Sequence, residues 1–321
     1  MFYVMEKIQD QFGRSFRTLR ISLINTCNFA CTYCVCSDAP IKQEEPEGLI
    51  FSVDQLLQVI KELHQRLGLR TIRLTGGEPL LYKQLSPLIQ GIIRLGIKDI
   101  KLTTNGLLLG RMAAELRSSG LLSVNVSLDA MDPAVFFKIT RRDRLSQVLD
   151  GIKAAKAVGL NVKLNAVIIR RQNECQVLPL LRFAFQQKIK VRFLELMPMG
   201  HLFGTEKSDL FSQQELLALI SEHYTITKQP KENAATATYW KTSEGEFGII
   251  ANESEPFCGD CDRLRLDMKG NIYGCLSSNQ PIPIRDLTQG VHFDRQLEKA
   301  LRQKQTLKFT GSNLSMLDIG G

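Results

Sequence analysis

Three cysteines stand within eight residues: Cys27, Cys31 and Cys34, in the run CNFACTYC. Thiolates at this C-x3-C-x2-C spacing can hold three irons of a four-iron, four-sulfur cube and leave the fourth iron without a protein ligand. Cubes held by four cysteines transfer electrons. A cube one ligand short has an open position where a bound molecule can react. A disulfide pair and a zinc site are the competing readings. Disulfides suit small secreted scaffolds, and the N-terminus shows no secretory pattern. Zinc needs a fourth ligand, and none of the chain's four histidines lies nearby. A second set, Cys258, Cys261 and Cys275, lies in FCGDCDRLRLDMKGNIYGC. It too offers three thiolates, and the further C-x2-C of a zinc ribbon is missing. Cys36 reads as a spare thiol and Cys175 as a small buried apolar residue.

The elements that must position these groups alternate along the chain. Strand-like runs occur at 19–24, 71–75, 100–104, 123–128, 161–168 and 190–196, with amphipathic stretches at 52–67, 84–95, 111–119, 147–158 and 174–187. Ser52 is a plausible N-cap, and several of the helical stretches stop at glycine. Six strand–helix units in series imply a parallel sheet, closed or partly closed as a barrel, whose working face lies at the C-terminal ends of its strands. Unusual residues gather at those ends. The first strand leads into the cysteine loop and the second into Thr75-Gly76-Gly77-Glu78-Pro79. The third ends in Thr103-Thr104-Asn105-Gly106 and the fourth in Ser127-Leu128-Asp129. The fifth carries Lys163 and Asn165, and the sixth Arg192, Glu195 and Met197. Six such coincidences at one end of a sheet make a site a better reading than a set of turns. The alternation stops near residue 200. The expected fold is therefore α/β: a partial (β/α)6 barrel core over residues 1–200, and a region over 201–321 that carries the second cysteine set and covers the barrel mouth. The first twenty residues and 225–247 read as irregular.

The chain has 321 residues, 44% of them apolar, enough for a sizeable core. No apolar run reaches the roughly 18 residues of a membrane span. With no secretory pattern, a cytoplasmic location is expected, where eight cysteines point to metal or redox chemistry. The formal charge of +8 suits a polyanionic small substrate. Basic runs and a basic–aromatic stripe are missing, which argues against nucleic acid as partner.

CNFACTYC together with TGGEP resembles the radical S-adenosylmethionine (SAM) superfamily, and the whole pattern resembles its GTP 3′,8-cyclase family, of molybdenum cofactor biosynthesis. Further matches are FGRSFRTLRIS, IRLTGGEPLL, LTTNGLLL, VNVSLDAMDP, VKLNAV, VRFLELM, FCGDCDRLRL and a terminal Gly320-Gly321, spanning nearly the full chain. The second cysteine set, the R-x-R and the diglycine select this family within the superfamily. The resemblance implies two 4Fe-4S clusters, one on Cys27, Cys31 and Cys34 and one on Cys258, Cys261 and Cys275. It implies SAM bound near Tyr33, Gly77, Ser127 and Met197, and cleaved to a 5′-deoxyadenosyl radical. It implies GTP held by Arg20, Arg73, Thr103, Lys163, Arg192, Arg263, Leu264 and Arg265. The radical would take the ribose 3′ hydrogen, and the carbon radical would add to guanine C8. The open iron of the second cluster would take a base nitrogen. Glu78 and Glu195 would orient rather than act as bases, and the diglycine would reach the active site.

The residues themselves agree in part. The chain has no G-x4-G-K-[ST] loop, so its phosphates would need separate cations. Arg263 and Arg265, two apart, share one face of a strand. The family's partners would be an electron donor and a cyclic pyranopterin monophosphate synthase that takes the product. The enzyme is expected as a monomer or homodimer. The chain departs from the family at Val35-Cys36-Ser37-Asp38, where methionine or leucine then proline is common, at Thr71, where some relatives have lysine, and at Ala30, a frequent arginine. Two alternatives belong to other classes. A radical SAM peptide-modifying enzyme with an auxiliary cluster would usually carry more C-terminal cysteines. A non-enzymatic iron–sulfur or nucleic-acid-binding sensor would show salt-dependent RNA or DNA binding and no SAM cleavage.

Overall fold

The computed structural model describes residues 8–36, 51–205, 207–285 and 290–320; Ser37, Asp38 and Gly321 of the sequence reading lie outside them. In chain order the elements are β1 (Thr18–Ser22), α1 (Val53–Leu67), β2 (Thr71–Thr75), α2 (Leu85–Arg94), β3 (Asp99–Thr104), α3 (Leu109–Ser118), β4 (Ser123–Ser127), α4 (Pro133–Thr140), α5 (Leu145–Ala157), β5 (Asn161–Ile168), α6 (Val177–Gln186) and β6 (Lys190–Glu195). There follow α7 (Gln213–Ser221), β7 (Thr227–Lys228), β8 (Thr238–Lys241), β9 (Glu246–Ile250), β10 (Arg263–Leu266), β11 (Asn271–Tyr273), β12 (Ile282–Pro283), α8 (Val291–Arg302) and α9 (Met316–Ile319).

The helices form where apolar residues recur at helical spacing. On α1 the buried positions include Leu56, Val59, Ile60, Leu63 and Leu67, one stripe facing the sheet. Its start is fixed by a reciprocal cap: the Gln55 N–H donates to the Ser52 hydroxyl, and the Ser52 N–H to Gln55 Oε1. The other side of the sheet's core comes from strand residues such as Ile72, Leu74, Val124 and Val126, all fully buried.

One twelve-stranded sheet runs in the order β12-β11-β10-β1-β2-β3-β4-β5-β6-β9-β8-β7. Strands β1 to β6 are parallel neighbours, as the alternation implies. The C-terminal region does not form a separate layer. Its β10 pairs in parallel with β1 and its β9 with β6, so residues on both sides of 200 share one sheet. The barrel is thus partial: the sheet does not close, its edge strands are β12 and β7, and antiparallel pairs finish both ends.

Two expectations need correction. The stretch 225–247 is not irregular: it holds β7, β8 and the start of β9, paired as an antiparallel set. Cys175 is exposed rather than buried, because it lies in a short 3-10 turn, Glu174–Gln176, ahead of α6. Among the described residues no helix is long and apolar enough to cross a membrane.

Candidate active site

Alternate residues of each parallel strand face one cavity at the C-terminal ends, as the period-two geometry of strands requires. Arg20, Arg73, Thr75, Thr103, Ser127, Asp129, Asn165, Val167, Arg192, Arg263 and Arg265 line it, with Met197 just beyond β6. All six cysteines of the two sets open onto the same cavity.

The first set is placed by three contacts. Helix α4 receives the loop, with the Ala30 N–H donating to Thr140 O (3.2 Å) and the Thr32 N–H to Ile139 O (2.9 Å). Phe29 packs edge-on against Phe136, with ring centroids 5.9 Å apart. The loop after β2 is pressed onto the start of the cysteine loop: the Gly77 N–H donates to Ile24 O, and a Cβ at Gly77 would lie 2.2 Å from Thr26 O. Only glycine fits there. Glu78 then accepts from the Leu80 N–H, the Thr104 hydroxyl and the Asn105 N–H, so it orients the loop, as expected. The Tyr33 hydroxyl donates to Asp129 (2.9 Å), which also accepts from the Val167 N–H (2.8 Å).

The second set is placed by the N-terminal turn and by α8. Arg14 donates to the carbonyls of Cys258 (2.7 Å) and Gln305 (3.0 Å). Gly274, next to Cys275, is held so close to α8 that a Cβ would lie 1.7 Å from Ala300 O. Lys304 Nζ donates to Cys261 Sγ at 3.2 Å.

The donor set fits two iron–sulfur clusters. All eight cysteines are free of disulfides. Sulfurs in both sets accept N–H donors, Cys27 from Phe29 (3.4 Å) and Cys275 from Ser277 (3.4 Å). Burial, with Glu78 nearby, pushes the Cys27 thiol up to about 11; burial, with Cys27 and Asp129 nearby, pushes Cys34 up to about 12. Cys31 is pushed up in the same way. Thiols this reluctant to ionise become ligands when a metal supplies the missing positive charge.

Five guanidinium groups face the cavity. Burial, then repulsion by Arg265, Arg73, Arg263 and Arg192, holds Arg20 well below the usual arginine range. Its buried Nε has no hydrogen-bond partner. Burial, with Arg192 and Arg263 nearby, brings Arg73 down to about 10, and burial brings Arg265 down to about 10. Arg192 donates to Asn165 (2.9 Å) and Asn125 (2.7 Å), Arg263 to Ala234 O (3.2 Å), and Arg265 to the carbonyls of Ile319 and Gly320. Among the described residues none of the five sits in an ion pair.

The expected SAM contacts Tyr33, Gly77, Ser127 and Met197 all line the cavity, as do Thr103 and the five arginines. Two expected GTP contacts do not. Leu264, fully buried, points its side chain into the core from the opposite face of β10. Lys163 shares a face with Asn165 but lies one layer nearer the N-terminal ends of the strands. Glu195, fully buried, accepts from the Gln213, Glu253 and Ser254 N–H groups and so fixes the chain after β9. Gly320 reaches the cavity rim, where a Cβ would meet Thr75. Sequence reasoning gave no role to Lys304, Arg14 or Asp129. Arg14 and Asp129 sit inside quoted motifs, but Lys304 had no signal, since a lysine just past an amphipathic helix reads as solvated.

Residues 21–184 match the model of the Radical SAM superfamily, and residues 189–313 match Molybdenum Cofactor Synthesis C. A crystal structure of Streptococcus suis SuiB bound to precursor peptide SuiA shares the fold, with a TM-score of 0.64 at 14% identity over 92% of this chain and 72% of that one. Fold and cysteine-lined mouth together define a radical SAM protein. A GTP 3′,8-cyclase from Corynebacterium glutamicum is 40% identical over 292 residues, 86% of this chain and 77% of the relative. One from Synechocystis is 36% identical over 317 residues, 97% of this chain and 94% of the relative. The chain belongs to the GTP 3′,8-cyclase family.

Proposed function

We propose that this chain is a GTP 3′,8-cyclase, a lyase that converts GTP to (8S)-3′,8-cyclo-7,8-dihydroguanosine 5′-triphosphate in the first step of molybdenum cofactor biosynthesis. The observation that carries the reading is the pairing of five arginines, unpaired with carboxylates among the described residues, with two three-cysteine sets on one cavity. When bound, a 4Fe-4S cluster on Cys27, Cys31 and Cys34 would supply, with SAM, the radical chemistry at the ribose, and a second on Cys258, Cys261 and Cys275 would help to hold the purine.

The chain's own residues do the rest. Buried cations without anionic partners are costly, and a triphosphate would relieve their repulsion through charge-assisted, partly bidentate hydrogen bonds. Arg20, Arg73, Arg192, Arg263 and Arg265 would take that role, with Thr103 adding a hydroxyl. Lys163, half-buried and facing Arg192 and Arg73, would support them from the layer below. Leu264 would contribute through its strand backbone, spacing the two arginines on one face. Cys27, Cys31 and Cys34 would hold the first cluster, and Cys258, Cys261 and Cys275 the second. Asp129 fixes the Tyr33 ring beside the first cysteine set, and Gly77, Ser127 and Met197 shape the SAM end. Bringing the two ends onto one rigid sheet places radical source and ribose in fixed relation, and the walls keep water from the reactive carbon.

An electron donor would reduce the first cluster in the cytosol, where thiols stay free. The cyclised nucleotide would pass to a cyclic pyranopterin monophosphate synthase. The test is anaerobic reconstitution with iron, sulfide, SAM, reductant and GTP, read by mass spectrometry. Both 5′-deoxyadenosine and the cyclised nucleotide are expected. Formation of 5′-deoxyadenosine with every tested GTP concentration but no cyclised nucleotide would refute the substrate.

A further inference from the structure

We infer that Lys304 is a positioning residue for the second cluster, binding the Cys261 sulfur and the Arg263 carbonyl with one ammonium group. The inference rests on the reading of Cys258, Cys261 and Cys275 as cluster ligands. Lys304 is only 7% exposed, and its Nζ lies 3.2 Å from Cys261 Sγ while also donating to Arg263 O. Its head group sits 5.0 Å from the centroid of the Phe16 ring. Sulfur, carbonyl and ring face thus account for the ammonium's three donors. Among the described residues Lys304 has no carboxylate partner. A buried ammonium needs electron-rich partners, and the Cys261 sulfur, in hydrogen-bond contact, with Cys275 nearby, supplies them.

The neighbouring residue points to the same role. Gln303 Oε1 accepts the Gly274 N–H at 2.9 Å, so consecutive side chains past α8 grip both arms of the second cysteine set. Lys304 takes the Cys261 arm, and Gln303 the backbone next to Cys275. Through Arg263 O the same lysine is tied to β10, the strand that carries Arg263 and Arg265. A positive donor on a ligand sulfur draws electron density from the cluster and favours its reduced state. Lys304 therefore sets the reduction potential of the second cluster and couples its position to the arginine strand.

The test uses full-length protein in which Cys27→Ala, Cys31→Ala and Cys34→Ala remove the first cluster. Reconstituted anaerobically, this parent should bind about four irons and give one reduced-cluster signal by electron paramagnetic resonance. Lys304→Met in that background should shift the midpoint potential to a more negative value, and Lys304→Arg should restore it most of the way. Failure of Lys304→Met to load iron, with loading kept in Lys304→Arg, also supports the role. A loaded Lys304→Met protein with an unchanged potential overturns the inference and leaves the cluster reading intact. Loss of loading in both variants reduces Lys304 to a packing residue and overturns it as well. A parent that binds no cluster overturns the reading of the second cysteine set and the inference with it.

Discussion

Cysteines of one set raise one another in both sets, but the other charges differ: Glu78 and Asp129 stand by Cys27, Cys31 and Cys34, whereas Lys304 and Arg263 stand by Cys258 and Cys261. Glu78 and Asp129 add to burial in raising the first thiols, with Arg142 a lesser opposing charge. At the second set burial again opposes ionisation, but Lys304 and Arg263 outweigh it and bring Cys261 down to about 7. Cys258, less favoured, is pushed up by burial to about 11. Two cysteine sets of similar make-up thus sit at opposite electrostatic ends of one cavity. Such a field would favour a cationic group at the first end and an anionic one toward the arginines, and so would help to sort two ligands in one chamber.

The contrast breaks most visibly at the first set. Cys27→Ala should abolish SAM cleavage, measured as 5′-deoxyadenosine formed under dithionite; retained cleavage would remove the first set from the chemistry. At the other end, Arg20→Met should weaken GTP binding by about 1.5–3 kcal/mol, roughly 10- to 100-fold, the range for a hydrogen bond to a charged group. The same change removes one member of a mutually repelling set, so the ligand-free protein should melt higher. Isothermal titration with GTP and a thermal melt read the two effects. An Arg20→Met protein that binds GTP normally and melts lower would mean that Arg20 is structural.

Much of this arrangement is legible in the chain because parallel strands covered by helices on one face read as short β-rich runs between amphipathic helices. Once the strands are placed, their ends place Thr75, Asn105, Asp129 and Arg192 around a single mouth. What the sequence hides is pairing between distant segments. Strand β9 lies against β6 some fifty residues earlier in the chain, and β10 against β1, at the far end of the chain. No local pattern records either. Residues 238–241 are a four-residue strand whose partner β9 supplies its reason to be extended, so alone they read as irregular. Helix α4, with only eight residues, is announced mainly by Asp132, whose carboxylate accepts from the Ala134 and Val135 N–H groups. For Lys163 the sequence gives the face of the strand but not the depth at which the cavity floor stops, and the side chain lies one layer below the arginines.

Two smaller effects sharpen the comparison. In cluster-free protein at pH 7.5, iodoacetamide should alkylate Cys261 at least about tenfold faster than Cys27, Cys31 or Cys34, because the thiolate is the nucleophile and Cys261 is brought down to about 7 while the first three thiols are pushed up. Peptide mapping over time gives the rates. Equal rates across the six would erase the electrostatic contrast, while slowing by Lys304→Met would assign it to that lysine.

The smallest effect concerns Asp129, whose burial raises its carboxyl from 3.8 to about 6 against the pull of the Val167 N–H and the Tyr33 hydroxyl. The native state keeps this proton up to about pH 6, whereas the unfolded chain releases it near 3.8. The native state therefore binds more protons across that interval, and the stability it contributes is full below 3.8 and lost as pH rises through about 6. Asn at this position can still accept from the Val167 N–H and can donate to the Tyr33 oxygen, so geometry is kept while the titration disappears. Cluster-free Asp129→Asn protein should match the parent near pH 4 and melt a few degrees higher at pH 7. Melting curves at half-unit pH steps measure the difference. A difference that stays constant with pH would show that Asp129 ionises near its ordinary value of 3.8 and that burial does not hold its proton.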